Sequence, residues 1–216
     1  MSHQADALEH LRVIRSLMEQ AHVYRAISAP AALMGGGFAL GLSLWQLRAG
    51  LVLREVTSPL AFALPWLLLL VLVSSFNTLL LWREARLRGR PFVSPGMRAA
   101  LRALCPPLLV GGVLGLGLML RFHNLTLGAL VWVLCHGLAL LATASFSPRS
   151  LVRLGWGFVV VGLALFLAWA GNEQVRLLPS DEAPAAVVLG LTFGLLHITY
   201  AVAVFLRRPT DPDAHD

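Results

Sequence analysis

The sequence predicts an all-α, polytopic membrane protein: six transmembrane helices in three hairpins, preceded by an amphipathic cytoplasmic helix. Composition is the first sign. Of 216 residues, 57% are hydrophobic and 13% charged, with a mean hydropathy of +0.75; a soluble domain carries about 25% charged residues. The second sign is a set of six apolar runs, over 29–47, 59–82, 104–121, 125–146, 151–170 and 183–206. Each is near the ~20 residues that cross a ~30 Å hydrocarbon core as a helix. None alternates as a barrel strand does, so a helical bundle is the spanning solution that satisfies the backbone. The third sign is the placing of arginine between the runs.

The chain divides into three regions: 1–28, 29–206 and 207–216. Over 5–27 the apolar residues Leu8, Leu11, Ile14, Leu17, Met18, Ala21 and Tyr24 recur at spacings of three and four, which predicts an amphipathic helix. Its acids (Asp6, Glu9, Glu19) balance its bases (Arg12, Arg15, Arg25), so attraction to anionic lipid is weak. Two uses fit it. It can lie against the membrane surface, or Leu11, Ile14 and Met18, in heptad-like alternation, can form a seam for a second copy or a partner protein. It lacks the continuous apolar core of a signal peptide. Pro30 then opens the first span, where a first helical turn tolerates it. The last ten residues, with Asp211, Asp213 and His215 among prolines, read as a solvated tail.

Arginine sets the orientation. All 17 basic residues are Arg and none is Lys, a usage expected of a GC-rich bacterial genome. On one side lie Arg12, Arg15 and Arg25, then Arg83, Arg86, Arg88, Arg90, Arg98 and Arg102, then Arg149, Arg153, Arg207 and Arg208. The other side holds Arg48, Arg54, Arg121 and Arg176. The richer side faces the cytoplasm by the positive-inside rule, which places both termini there in the bacterial inner membrane. This also accounts for the net charge of +6 without nucleic acid.

Glycine gathers in the odd-numbered spans. Gly37-xxx-Gly41 and Gly111-xxx-Gly115 are small-xxx-small pairs that allow helices to approach closely, either within the chain or between copies. The first and third spans echo each other, with Pro30 and two glycines in one and Pro106 and two glycines in the other, as parallel repeats would. The bulkier even-numbered spans, with Trp66, Trp132 and Phe193, supply opposing surfaces.

Polar groups inside the membrane point to function. No Asp, Glu or Lys falls within the six runs, which weighs against transport coupled to protons or sodium. His136 and His197 remain, each roughly 18–20 Å from the outer end of its span at 1.5 Å per residue, so at matching depth. As neighbours they could ligate a haem iron or another metal, or share a proton. The plainer reading is two neutral histidines bonded to backbone carbonyls or to hydroxyls such as Thr192 or Thr199. A second polar group, Ser74, Ser75, Asn77 and Thr78, reads as glue between helices. Cys105 and Cys135 lack metal-ligand spacing and read as packing residues. No nucleophile elbow, phosphate loop, zinc-protease motif or paired acids occurs, so no catalytic residue is assigned.

The segments IRSLMEQAHVYRAISAP (14–30) and GLTFGLLHITYAVAVFLRR (190–208) resemble a group of uncharacterised bacterial six-span inner-membrane proteins. The resemblance covers most of the chain and implies the same architecture, with no assigned activity. The leading expectation is a non-enzymatic membrane protein acting by self-association or through a protein partner at its cytoplasmic face. A small-molecule or lipid transporter or channel is the alternative, and needs a water-filled cavity at the histidines. A haem-binding or redox protein is the third.

Overall fold

The structure, a computed structural model, describes residues 27–53, 58–87, 89, 92–93, 95–145, 147–173 and 181–206. The predicted amphipathic helix with Leu11, Ile14 and Met18, the residues Arg88 and Arg90, and the C-terminal tail lie outside the described residues. Those described are mainly helical, with no strand among them. The helices are α1 (Ala29–Arg48), α2 (Pro59–Leu87), α3 (Pro95–Arg121), α4 (Leu125–Ala142), α5 (Arg149–Gly171), α6 (Glu182–Leu189) and α7 (His197–Leu206). A π-helical stretch, Gly190–Leu196, joins α6 to α7 in one continuous rod, and another, Ala49–Leu53, extends α1.

Every apolar run of the sequence forms a helix. Five of the rods, α2, α3, α4, α5 and the α6–α7 rod, are long and apolar enough to cross a membrane. In α1, which has 20 residues, four glycines, Pro30 and Gln46 dilute the apolar character. The arginine-dense stretch is more helical than a break between spans requires: α2 runs on to Leu87, carrying Arg83 and Arg86 on its exposed last turns, and α3 resumes at Pro95.

Helix starts obey capping chemistry. Ser28 caps α1 by accepting from the Ala31 N–H at 3.4 Å, with Pro30 in the first turn. Asn124 caps α4 by accepting from the Leu127 N–H at 2.8 Å. The turn before it forces His123 to φ +52°, a conformation that costs a residue with a Cβ but reverses the chain in three residues.

Packing divides the helices into two groups. α4 lies against α3, α5 and α6, and α1 lies against the whole α6–α7 rod. α2 buries only Phe62, Ala63 and Trp66, and α3 is nearly as open, so both present Leu and Val outward along most of their length. The α1 contact runs antiparallel. A Cβ on Gly36 would sit 2.9 Å from the Gly194 carbonyl oxygen and 2.9 Å from Ile198; one on Gly194 would meet Leu40 at 3.2 Å; one on Gly50 would meet the Ala183 nitrogen and Glu182 at 3.5 Å. The Ser43 hydroxyl, packed on Gly190, donates to the Ala186 carbonyl at 2.7 Å. Gly190-xxx-Gly194 is thus the small-residue face that seats α1.

Polar ties close both ends of the bundle. At one end the Ser28 N–H donates to Asn77 Oδ1 at 2.9 Å, the cross-helix bond expected of Asn77, and the Tyr200 hydroxyl donates to the Ile27 carbonyl at 3.3 Å. At the other, Asp181 accepts from the Thr126 N–H at 2.8 Å and from the Thr126 hydroxyl. The last rod begins at Glu182, one residue before the apolar run 183–206, and this residue is buried at 4% exposure.

Candidate functional site: a buried imidazole pair

α4 and α5 approach closely because both carry glycine where they cross. A Cβ on Gly137 would come 2.9 Å from the Cβ of Phe158 and 3.0 Å from the Gly155 carbonyl oxygen. This brings Phe158 against His136, the residue before Gly137, with ring centroids 4.7 Å apart. The α6–α7 rod adds two more rings, Phe193 and His197. His136 and His197 stand 5.7 Å apart, centroid to centroid, at an interplanar angle of 54°. Phe193 lies 5.0 Å from His136 and 5.2 Å from Phe158, and Phe158 lies 5.3 Å from His197. Four aromatic rings from three helical rods therefore form one cluster, and two of them are imidazoles.

The π-helical stretch places half of this cluster. Widening the helix by one residue rotates the turns beyond it and leaves carbonyls weakly paired along the rod. Side chains of the rod itself use them. The Thr192 hydroxyl donates to the Val188 carbonyl at 2.7 Å, and His197 Nδ1 bonds the Phe193 carbonyl oxygen at 3.0 Å. A carbonyl only accepts, so Nδ1 carries the proton and Nε2 of His197 presents a lone pair. The Thr199 hydroxyl donates to the Leu196 carbonyl at 2.9 Å, so neither threonine serves a histidine.

The two imidazoles differ. His197 has the backbone bond that a neutral core histidine needs, whereas Nε2 of His136 is buried with no hydrogen-bond partner. A buried ring nitrogen without a partner costs about 1–3 kcal/mol, and in a packed protein such an atom calls for an ion, a water or a functional role. Among the described residues no cluster of three or more His, Cys, Asp or Glu exists. Cavities open between the helices among the described residues. One of about 650 Å³ is an apolar groove between α1 and α2, bordered by Phe38, Leu42, Pro65, Leu69, Leu72 and Ser75. Another, about 270 Å³, lies between α5 and α7 beside Arg153, Leu154, Gly157, Leu196, Thr199 and Tyr200. Neither is lined by a histidine.

The glycine pairs have opposite fates. Gly111 and Gly115 pack α3 on α4: a Cβ on Gly111 would come 2.5 Å from the Cβ of Cys135, and one on Gly115 would collide with the Trp132 indole. Gly37 and Gly41 are exposed on the outward side of α1 with no atom within 4 Å of the position a Cβ would take. Arg86 lies over the Trp82 ring at 4.9 Å, a cation–π contact that anchors the end of α2, while Arg83 is exposed.

The signal for the histidine pair was in the sequence, as similar distances from the starts of two runs that cross in the same direction. Phe158 and the π-helical stretch gave no sign there, because an apolar ring or a helix widened by one residue looks like any other part of a span. Comparison with protein-family models, with curated proteins and with solved structures found no match to this chain.

Proposed function

We propose that the chain is a six-span integral membrane protein of the bacterial inner membrane, with both termini cytoplasmic, whose non-enzymatic role is to hold a ligand between His136 and His197. The sixth span on this reading is α1. Twenty residues extend about 30 Å, and α1 runs antiparallel along a rod that is itself long and apolar enough to cross. The single observation that carries the ligand-holding role is the partnerless, buried Nε2 of His136, on a ring 5.7 Å from that of His197, centroid to centroid. An ordinary packing position would favour an apolar residue there. The test is to purify the protein from its membrane, record its visible spectrum and measure its metal content. The expected result is a bound species lost in both His136→Gln and His197→Gln. If neither substitution changes any bound species or the thermal stability, the pair is a packing feature and the reading fails.

Self-association is a second reading, favoured by the open face of α1. In lipid, burying Leu against Leu gains little, and small residues serve to bring backbones together. Gly111 and Gly115 are used in that way within the chain, whereas Gly37 and Gly41 are left free beside exposed Phe38. Crosslinking in native membranes tests it: dimers that persist unchanged in Gly37→Leu/Gly41→Leu would overturn it.

A further inference from the structure

We infer that the cleft between α5 and α7 is a binding site for one anionic phospholipid, whose phosphate is held by Arg153. The site stands apart from the imidazole pair and does not depend on what that pair holds. Both helices belong to rods long and apolar enough to cross a membrane. The cleft, about 270 Å³, lies toward the end of the bundle where α5 begins and α7 finishes.

Residue spacing builds the cleft. Ser150, Arg153 and Gly157 recur at three and four along α5 and share a face, as Leu196, Thr199 and Ala203 do on α7. At the deep end Gly157 faces Leu196, and a Cβ on the glycine would lie 3.8 Å from the Leu196 side chain. The missing side chain leaves a floor made by Leu154 and Leu196. From Gly157 back to Ser150, and from Leu196 on to Ala203, each helix advances about 10 Å at 1.5 Å per residue, which takes the cleft to the start of α5. Tyr200 is a wall set in place without a ligand: it is buried, and its hydroxyl donates to the Ile27 carbonyl at 3.3 Å.

The two ends of the cleft differ in polarity as the two parts of a lipid do. Leu154, Gly157 and Leu196 offer hydrocarbon, whereas the mouth has the Arg153 guanidinium and the Ser150 hydroxyl. Neither of those side chains has a hydrogen bond or ion pair with another described residue, and no acid borders the cleft among the described residues. Arg86, by contrast, is engaged on the Trp82 ring. Arg153 stands about 6 Å along α5 from its first residue, Arg149. Its stem can cover apolar surface there while the head reaches the lipid phosphates. A planar fork of N–H donors suits a phosphate, and basic pockets between spans take up anionic headgroups. Charge complementarity selects among lipids. A zwitterionic headgroup brings an ammonium group for which the cleft has no carboxylate, so a headgroup of net negative charge fits better. The apolar floor selects lipid over a free anion, because inorganic phosphate would leave Leu154 and Leu196 uncovered.

The experiment uses the full chain, purified in a non-ionic detergent and titrated with phosphatidylglycerol or phosphatidylethanolamine, with bound lipid counted by native mass spectrometry. Inorganic phosphate is added in a parallel series at constant ionic strength. Expected are one tightly held phosphatidylglycerol per chain, preferred over phosphatidylethanolamine, and no displacement by phosphate. Arg153→Gln is expected to lower phosphatidylglycerol affinity about fivefold or more and to remove the preference. Arg149→Gln, which changes a neighbouring charge outside the cleft, is expected to leave both nearly unchanged. Gly157→Leu fills the floor and is expected to weaken both lipids; should it fail to fold, the two arginine variants still decide. Equal losses in the two arginine variants would show attraction to the charged surface alone and overturn the site. No anionic preference, affinity unchanged in Arg153→Gln, or binding unchanged in a folded Gly157→Leu would overturn it too. Displacement by inorganic phosphate would make the cleft a free-anion site and overturn the lipid assignment.

Discussion

Asp181 shows how one side chain joins distant parts of this chain. It accepts from the backbone N–H of Thr126, within the first turn of α4, and from the Thr126 hydroxyl, while Asn124 takes the Leu127 N–H. The start of α4 thus has two of its free donors satisfied and a negative charge where the helix dipole favours one. Asp181→Ala is expected to lower stability by about 1–2 kcal/mol, and Asp181→Asn by less, since the amide oxygen still accepts; unfolding in detergent, monitored by circular dichroism, measures both. Gln46 has a similar role at the interface of α1 and α2. Its Oε1 accepts from the Trp66 indole N–H at 2.7 Å and its Nε2 donates to the Phe62 carbonyl at 3.0 Å. Gln46→Leu leaves the buried indole without an acceptor and is expected to cost about 1–3 kcal/mol; an unchanged melting temperature would contradict that. Neither pairing was legible in the sequence. A hydrogen bond over 55 or 20 residues leaves no periodic trace.

At the level of the helices, glycine spacing was legible and its use was not. Gly37-xxx-Gly41 and Gly111-xxx-Gly115 look alike in sequence, yet one faces away from the chain and the other is filled by α4. Substitution separates them. Gly115→Ala forces a methyl group into the Trp132 indole and to 3.0 Å from the Gly128 carbonyl oxygen, with an expected loss of about 1–3 kcal/mol. Gly41→Ala meets open space and, by relieving the glycine penalty in a helix, is expected to be neutral or to stabilise by up to about 1 kcal/mol. Parallel melts of the two variants check the contrast, and equal losses would contradict it. The echo between the first and third spans is likewise partial in three dimensions. Gly35 lies against Val73 of α2 as its counterpart Gly111 lies against Cys135 of α4, but Gly36 is seated on the last rod while Gly112 meets nothing. α1 closes the bundle against the last rod, a role that α3 does not share.

For the whole molecule, the arginine distribution makes a prediction of sidedness that labelling can check. With Cys105 and Cys135 replaced, a cysteine at His123 is expected to react with an impermeant maleimide added outside intact spheroplasts, and one at Arg98 or Ser147 only after lysis. Reaction of the Arg98 position from outside would reverse the orientation. The amino-acid sequence by itself determined that the described residues are mainly helical, where the rods long and apolar enough to cross a membrane lie, and that two histidines fall at similar distances along theirs. These depend on length, hydropathy and capping residues, which act locally or are summed along one segment. Which rods touch was decided only in three dimensions. A membrane helix is apolar toward lipid and toward protein alike, so its periodicity does not reveal the inward face. The close approach of α4 to α5 at Gly137 and Gly155, the α1 groove on Gly190 and Gly194, and the widened turn before His197 come from shape complementarity between surfaces far apart in sequence. Their combined effect is to set two imidazoles side by side among phenyl rings.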